Sequence, residues 1–262
     1  MRVWVTGASS GLGEAVGHLY ATKKARLVLS SRREEALSAV AETCVEMGAA
    51  EALVVPMDQS VDVGPAIEAA LAAFGGFDVV VLNGGVSTRA SALETEPQTL
   101  ERVVKVNFSS HAEIARRCAQ HMLAEGVQGR IVVTSSVQAY FGLPMRSAYA
   151  ASKHALLGYF DSLRAELADT GISVTVAAPG YIRTALSTNA LTGDGSLYGQ
   201  TDATTARGAD PSEVARILVS AADRRTPEID ISPGLSASVA RYLRTLAPSL
   251  FFQIMAKRAR TS

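Results

Sequence analysis

The 262-residue chain is poor in several things that would place it elsewhere. It has only two cysteines, Cys44 and Cys118, each in a helix-like pattern, so neither a disulfide framework nor a cysteine metal site is expected. Two buried thiols in a reducing compartment are the simpler reading. Net charge is absent too: Lys+Arg and Asp+Glu both number 25, which leaves no global field to draw nucleic acid. No apolar run reaches the length of a membrane span. His18, His111, His121 and His154 show no metal-ligand spacing and read as structural or exposed. The opening MRVWVTG enters a strand at once, leaving no room for a signal peptide, and a cytoplasmic location is expected. Neither a repeat nor linker-like composition divides the chain. With 48% hydrophobic and 19% charged residues, it is expected to be a folded, enzyme-like protein long enough to bury a full core.

Apolar, β-rich runs alternate with helical patterns along the whole chain. The runs are Val3–Thr6, Arg26–Ser30, Ala52–Pro56, Val79–Leu82, Ile131–Thr134, Ser173–Ala177 and Glu228–Ser232. Helical patterns lie between them at Leu12–Thr22, Glu34–Met47, Val63–Phe74, Gln98–Leu123, Ala150–Thr170 and Pro211–Ala222. Strands that are apolar throughout fit a parallel sheet covered on both faces. The expected fold is a single α/β domain, a doubly wound Rossmann-type sheet of seven parallel strands in three α/β/α layers.

The first strand runs into Thr6-Gly7-Ala8-Ser9-Ser10-Gly11-Leu12-Gly13. Glycines there allow a tight turn and close backbone approach, and the helix starting near Gly11 offers unpaired N–H groups to a pyrophosphate. A glycine-rich turn alone means little; after a strand and before a helix it points to a dinucleotide. The second strand ends Ser30-Ser31-Arg32-Arg33, where an NAD site usually places an acid for the ribose 2′-hydroxyl. Arg32 and Ser31 instead supply the cation and hydroxyl that a 2′-phosphate needs, so NADP(H) is the expected cofactor. The plainer alternative is that Arg32 and Arg33 only begin a solvated helix.

Ser136 follows the apolar run Ile131–Val133, where a strand should end and a site should open. Thirteen residues later, Tyr149-Ala-Ala-Ser-Lys153 sets a phenol and an ammonium four apart, on one helix face. A cation roughly 4 Å from the phenol, at an effective dielectric of about 20, favours the phenolate by about 4 kcal/mol. That is roughly three pKa units, enough to make tyrosine an acid and base near neutral pH.

On these residues the chain resembles the short-chain dehydrogenases/reductases. Ser136, Tyr149 and Lys153 match the family's Ser-(x12)-Tyr-(x3)-Lys pattern without a gap, and Gly7, Gly11 and Gly13 match its T-G-x3-G-x-G turn. The resemblance implies that Ser136 polarises a carbonyl and Tyr149 transfers the proton. Lys153 would lower the tyrosine pKa and bind the nicotinamide ribose. It further implies an adenine contact for Asp58, and a fourth catalytic residue in Asn107, whose backbone would hold a relay water. Asn inside a helical pattern also suggests a local distortion there. Asn83-Gly84-Gly85 corresponds to the family's N-N-A-G, with Leu82 in place of the first Asn and Gly84 in place of the Ala. Pro179-Gly180-Tyr181-Ile182-Arg183-Thr184 resembles P-G-x-[VI]-x-T, so Pro179, Gly180, Ile182 and Thr184 are expected at the nicotinamide.

The implied reaction interconverts a ketone and a secondary alcohol with NADP(H). A non-catalytic NADP(H)-sensing protein is the alternative, and the retained Ser, Tyr, Lys and Asn argue against it. An irregular stretch, 186–208, reads as a substrate lid, since a long loop in a compact domain is usually functional. The lid and the C-terminal tail, 235–262, are most similar to the dehydrogenase/reductase member-seven-B group. Animal relatives in that group are linked to lipid ketones such as acyl-dihydroxyacetone phosphate, which implies an apolar or lipid-like substrate. A homodimer or homotetramer is expected.

The tail departs from a plain dinucleotide-binding domain. No acid follows Asp230, yet Arg241, Arg244, Lys257, Arg258 and Arg260 do, giving an acidic body with a basic tail. Leu235, Val239, Tyr242, Leu243 and Leu246 follow a helical period, and Pro248 starts a second short helix. Its residues Leu250, Phe251, Phe252, Ile254 and Met255 are too apolar for a solitary patch in water. They either cover the protein's own core or a neighbouring subunit, or border the substrate mouth and touch anionic membrane.

Overall fold

Along the first strand Val3 and Val5 point one way and Trp4 the other, and this two-residue period decides which helices cover which face. The computed structural model describes residues 1–232 and 236–260; Leu235 lies outside the described residues. The first half of the chain is β1 (Arg2–Thr6), α1 (Gly11–Thr22), β2 (Arg26–Ser30), α2 (Glu34–Glu46), β3 (Glu51–Val54), α3 (Gly64–Phe74) and β4 (Val79–Leu82). After it come α4 (Pro97–Val104), α5 (Ser110–Ala124), β5 (Arg130–Thr134), α6 (Ser147–Glu166) and β6 (Ser173–Pro179). A short α7 (Ala203–Ala206) and α8 (Pro211–Asp223) precede β7 (Glu228–Ile231), and α9 (Ser236–Leu246) and α10 (Pro248–Ala259) follow it.

All seven strands pair in parallel in the order β3-β2-β1-β4-β5-β6-β7. On one face, Val3, Val5, Leu27, Leu29, Val79 and Val81 pack against α1, α2 and α8 through residues such as Val16, Leu37 and Leu218. On the other, Trp4, Val28, Val80, Leu82, Ile131 and Val133 meet α3, α5 and α6 through Ile67, Ile114 and Phe160. These side chains are essentially dry, and truncating one such Leu or Ile to Ala should cost about 2–5 kcal/mol.

The expected strands and helices are present, their ends moved by a few residues. The main difference lies in Gln98–Leu123, expected as one helix and found as two. Between α4 and α5 the residues Lys105–Ser109 form a π-turn with Asn107 at its centre. The start of α6 also lies earlier than expected, at Ser147, which puts both Tyr149 and Lys153 inside its first two turns. The stretch 186–208 holds only the one-turn α7 and is stitched to the loop after β4 by a parallel bridge between Thr88 and Leu191.

Candidate active site

The strand order reverses direction between β1 and β4, and the crevice beyond the C-terminal ends of these strands is where doubly wound sheets bind ligands. A cavity of about 980 Å³ opens there. It is lined by nearly every residue expected to bind or react: Gly7, Ser9, Ser10, Gly11 and Leu12 from the first turn; Ser31 and Arg32 after β2; Asp58; Asn83 and Gly84. Ser136, Tyr149, Lys153, Pro179, Gly180, Ile182 and Thr184 line it as well. Gly13 and Asn107 stand behind the wall, in supporting positions.

The dinucleotide end is shaped by missing side chains. Gly7 has φ +64°, and a Cβ on it would stand 2.6 Å from the Cα of Gly84. A Cβ on Gly13 would lie 2.2 Å from the Gly7 carbonyl oxygen, so its absence lets α1 approach the turn. The Thr6 hydroxyl accepts from the backbone N–H groups of Asn83 (3.0 Å) and Gly84 (3.3 Å), fastening the β4 turn to the β1 turn. The result is a narrow backbone-walled cradle ending at the N-terminus of α1, a fit for a pyrophosphate.

Two residues at this end were not among the expected ones. Arg33 also lines the cavity and donates to the Ser10 (2.9 Å) and Ser9 (3.1 Å) hydroxyls, so two guanidinium groups, not one, border the expected 2′-phosphate position. Gln59 explains why the family's Ala is Gly84 here. Its amide fills the space, and a Cβ on Gly84 would lie 1.7 Å from Gln59 Oε1. The Gln59 amide is held by donating to the Ser110 hydroxyl at 2.8 Å. Beside it, Asp58 accepts from the Ser60 N–H (2.8 Å) and hydroxyl (2.7 Å). Burial works against the Asp58 carboxylate, but these bonds and the nearby Arg32 charge win and hold its pKa below the ordinary value.

At the reacting end, Ser136, two residues beyond the end of β5, is extended and accepts the Gln138 N–H at 3.2 Å. It lines the cavity together with Tyr149. Lys153 is fully buried and donates to the Thr134 carbonyl at 2.9 Å, with Nζ 5.7 Å from the centre of the Tyr149 ring. Burial pushes its pKa down to about 7, so the amine carries only part of a charge at neutral pH. This changes the electrostatic account expected from the Tyr-x3-Lys spacing. Burial raises the Tyr149 pKa, and the neighbours opposing the rise are the Ser136 hydroxyl and the guanidinium groups of Arg146 and Arg89.

Asn107 is fully buried and does not line the cavity. Its side chain accepts the Val86 N–H at 2.8 Å and donates to the Val86 carbonyl and the Ser152 hydroxyl, both at 2.9 Å. It thereby ties the loop after β4 to α6, one residue from Lys153. His111, expected to be structural or exposed, is fully buried. Burial and Lys153 push its pKa down to about 3, so it stays neutral.

The substrate side carries a cluster with no sequence signature. Arg89 and Arg146 both pair with the Asp202 carboxylate, Arg146 at 2.8 Å, and all three are largely buried. Two cations on one anion leave an excess positive charge beside Tyr149, and burial with Arg146 as neighbour lowers Arg89 to about 10. Leu143, Leu186, Leu197 and Met255 line the same cavity as an apolar patch. These residues come from four separate segments, and only the tertiary fold brings them together.

A doubly wound sheet, a glycine-walled cradle at its switch point, and a Ser-Tyr-Lys set at the cradle's far end define a nicotinamide-dependent oxidoreductase. The chain belongs to the short chain dehydrogenase family, whose pattern it matches over residues 1–194. It is 42% identical over 263 aligned positions to a "Dehydrogenase/reductase SDR family protein 7-like" of Anopheles gambiae, covering 98% of this chain and 82% of that protein. It is 40% identical to "Dehydrogenase/reductase SDR family member 7B" of Bos taurus, covering 98% and 81%. Among solved structures, a short chain dehydrogenase/reductase from Burkholderia phymatum in complex with NAD superposes with a TM-score of 0.82. It is 25% identical, and 95% and 94% of the two chains are covered. An alcohol dehydrogenase from Thermococcus sibiricus complexed with 5-hydroxy-NADP shares the fold, at a TM-score of 0.73, 21% identity and coverage of 88% and 95%.

Proposed function

We propose that the protein interconverts a ketone and a secondary alcohol with NADP(H), on an apolar or lipid-like substrate. The observation that carries this reading is the convergence of Ser136, Tyr149 and Lys153 on the cavity at the end of the dinucleotide cradle. Ser136 and Tyr149 both donate to the carbonyl oxygen of the substrate, and Tyr149 hands over its proton as negative charge develops there. The excess positive charge of Arg89 and Arg146 steadies the phenolate left behind. Lys153, buried and near its midpoint at neutral pH, returns the proton to Tyr149. The nicotinamide supplies the hydride when bound. Arg32 and Arg33 support NADP(H), because two guanidinium forks suit a phosphate and no acid stands where a ribose 2′-hydroxyl would be held.

The two-sided cavity supports an amphiphilic ketone, its polar end on Arg89 and Arg146 and its chain on Leu143, Leu186, Leu197 and Met255. The stretch 186–208 acts as the lid, fastened by Asp202. Leu246, Leu250, Phe252 and Ile254 are exposed on the tail beside Arg244 and Lys257, a composition that suits peripheral contact with anionic membrane. The reaction is tested by NADPH oxidation across 2-alkanones of graded length, with and without an anionic end group. Turnover rising with chain length supports the reading; no turnover of any ketone overturns it. Co-sedimentation with anionic vesicles at low salt tests the membrane contact.

A further inference from the structure

Two consecutive residues of the loop that carries Ser136 are gripped from the C-terminal tail. The first is Tyr140. Its hydroxyl donates to Glu228 Oε1 at 2.7 Å, and Arg241 of α9 donates to the same oxygen at 2.9 Å. The Arg241 guanidinium also lies 4.0 Å above the Tyr140 ring. A stacked cation and a shared carboxylate form a three-part latch, geometrically stricter than a single surface ion pair. The second is Phe141, which meets Phe251 of α10 edge-to-face with ring centres 5.9 Å apart. Phe251 is 2% exposed yet belongs to neither face of the sheet core, and its ring contacts are Phe141 and the adjacent Phe252.

With α10 seated on Phe141, Met255 and Arg258, one and two turns further along the helix, reach the cavity wall. Phe141 lines the same cavity. The tail therefore contributes surface to the space in which a substrate would lie, and it is fastened to the loop that presents Ser136.

We propose that α10 is the wall against which the apolar chain of the substrate lies, with Met255 setting the chain length accepted, and that Arg241 is the positioning residue holding this wall and the Ser136 loop in register. This rests on the reading of the cavity as the site of an apolar ketone and names the residues that measure the ketone's length. The tail so described is neither a cover for the sheet core nor a free appendage.

The test uses the full chain with NADPH. Met255→Trp should lower kcat/KM for 2-tetradecanone at least tenfold, through KM, while 2-butanone changes less than twofold and NADPH affinity is unmoved. Equal changes for both ketones, or none, would overturn the wall. Arg241→Ala should lower kcat about tenfold with NADPH affinity unchanged, and Arg241→Lys should recover part of it. Hydrogen exchange provides an arm independent of turnover. In Arg241→Ala and Tyr140→Phe the amides of 136–146 should exchange at least tenfold faster, while those of β4 and the first turn keep their rates. Unchanged exchange at 136–146 would overturn the latch. If the wild type reduces no ketone, the proposed reaction fails by itself, and exchange alone judges the coupling of tail to loop.

Discussion

At the β1 end of the cavity the working features are absent side chains: Gly7, Gly13 and Gly84 bring three stretches of backbone within van der Waals reach. At the far end, Arg89, Phe141, Arg146, Tyr149 and Met255 line the cavity from three distant parts of the chain. The backbone-built end is tied to one local turn and tolerates little change. The side-chain-built end is assembled from distant parts, so its residues can be exchanged and the substrate retuned while the cradle is left intact.

The comparison can be broken most severely at Tyr149. Tyr149→Phe should lower kcat by about 10³-fold or more, the scale of a lost general acid, with NADPH affinity unchanged. Retention of more than a few per cent of activity would remove the acid/base assignment. A joint loss of cofactor binding would mean that the two ends are not separable.

The next effect is on stability. Folding buries the Lys153 amine and lowers its pKa to about 7 from the ordinary 10.5. Between these values the unfolded chain holds a proton that the folded chain releases, so stability rises with pH by up to about 1.4 kcal/mol per unit. Lys153→Met should flatten that rise. Urea midpoints of both proteins between pH 7 and 9 check it, and parallel slopes would show that Lys153 is not the source.

The proposed cofactor choice lies at the backbone-built end and rests on its two exposed arginines. NADPH should bind more tightly than NADH, and Arg32→Ala should narrow the gap by about 1.5–3 kcal/mol. Arg33→Ala should narrow it too. Fluorescence titration with both cofactors measures this, and equal affinities of the wild type would refute the assignment.

The finest test separates the two kinds of wall within one cradle. Gly84→Ala meets a side chain, Gln59, and should cost about 1–3 kcal/mol, with Gln59→Ala in the same chain restoring most of it. Gly13→Ala meets the Gly7 backbone oxygen and should have no such second-site rescue. Thermal melts of the three variants decide it. Rescue of neither glycine variant would mean that Gln59 does not set the space at Gly84.

What could be read from the sequence follows the same division. The strands, the glycine turn and the Ser-Tyr-Lys set were legible because each depends on spacing within one short segment. Arg33 shares the helix start with Arg32, and only its bonds to Ser9 and Ser10 in the fold show that it too lines the cavity. Gln59 had a faint signal in the glycine standing for alanine at position 84, which asks what fills the vacated space. Arg89, Arg146 and Asp202 had none, because 113 positions separate Arg89 from Asp202 and only the fold closes that distance. Distance alone predicts a downward pull of Lys153 on the Tyr149 pKa. Burial, which no spacing reveals, took part of the lysine's charge away.

The π-turn at Lys105–Ser109 has a consequence for how much length the chain can lose or gain. Thr99 in α4 and Met122 in α5, 23 positions apart, are both buried. Six ideal α-turns span about 21.6 positions, and the surplus is absorbed where the π-turn widens the coil. Deleting one residue of 105–109 would let the coil close to ordinary pitch and leave Ile114, Cys118 and Met122 facing the sheet. The same deletion inside α5 would rotate everything after it by about 100°. The π-turn thus acts as a length buffer: a deletion there should spare the core and cost mainly the place of Asn107 between Val86 and Ser152.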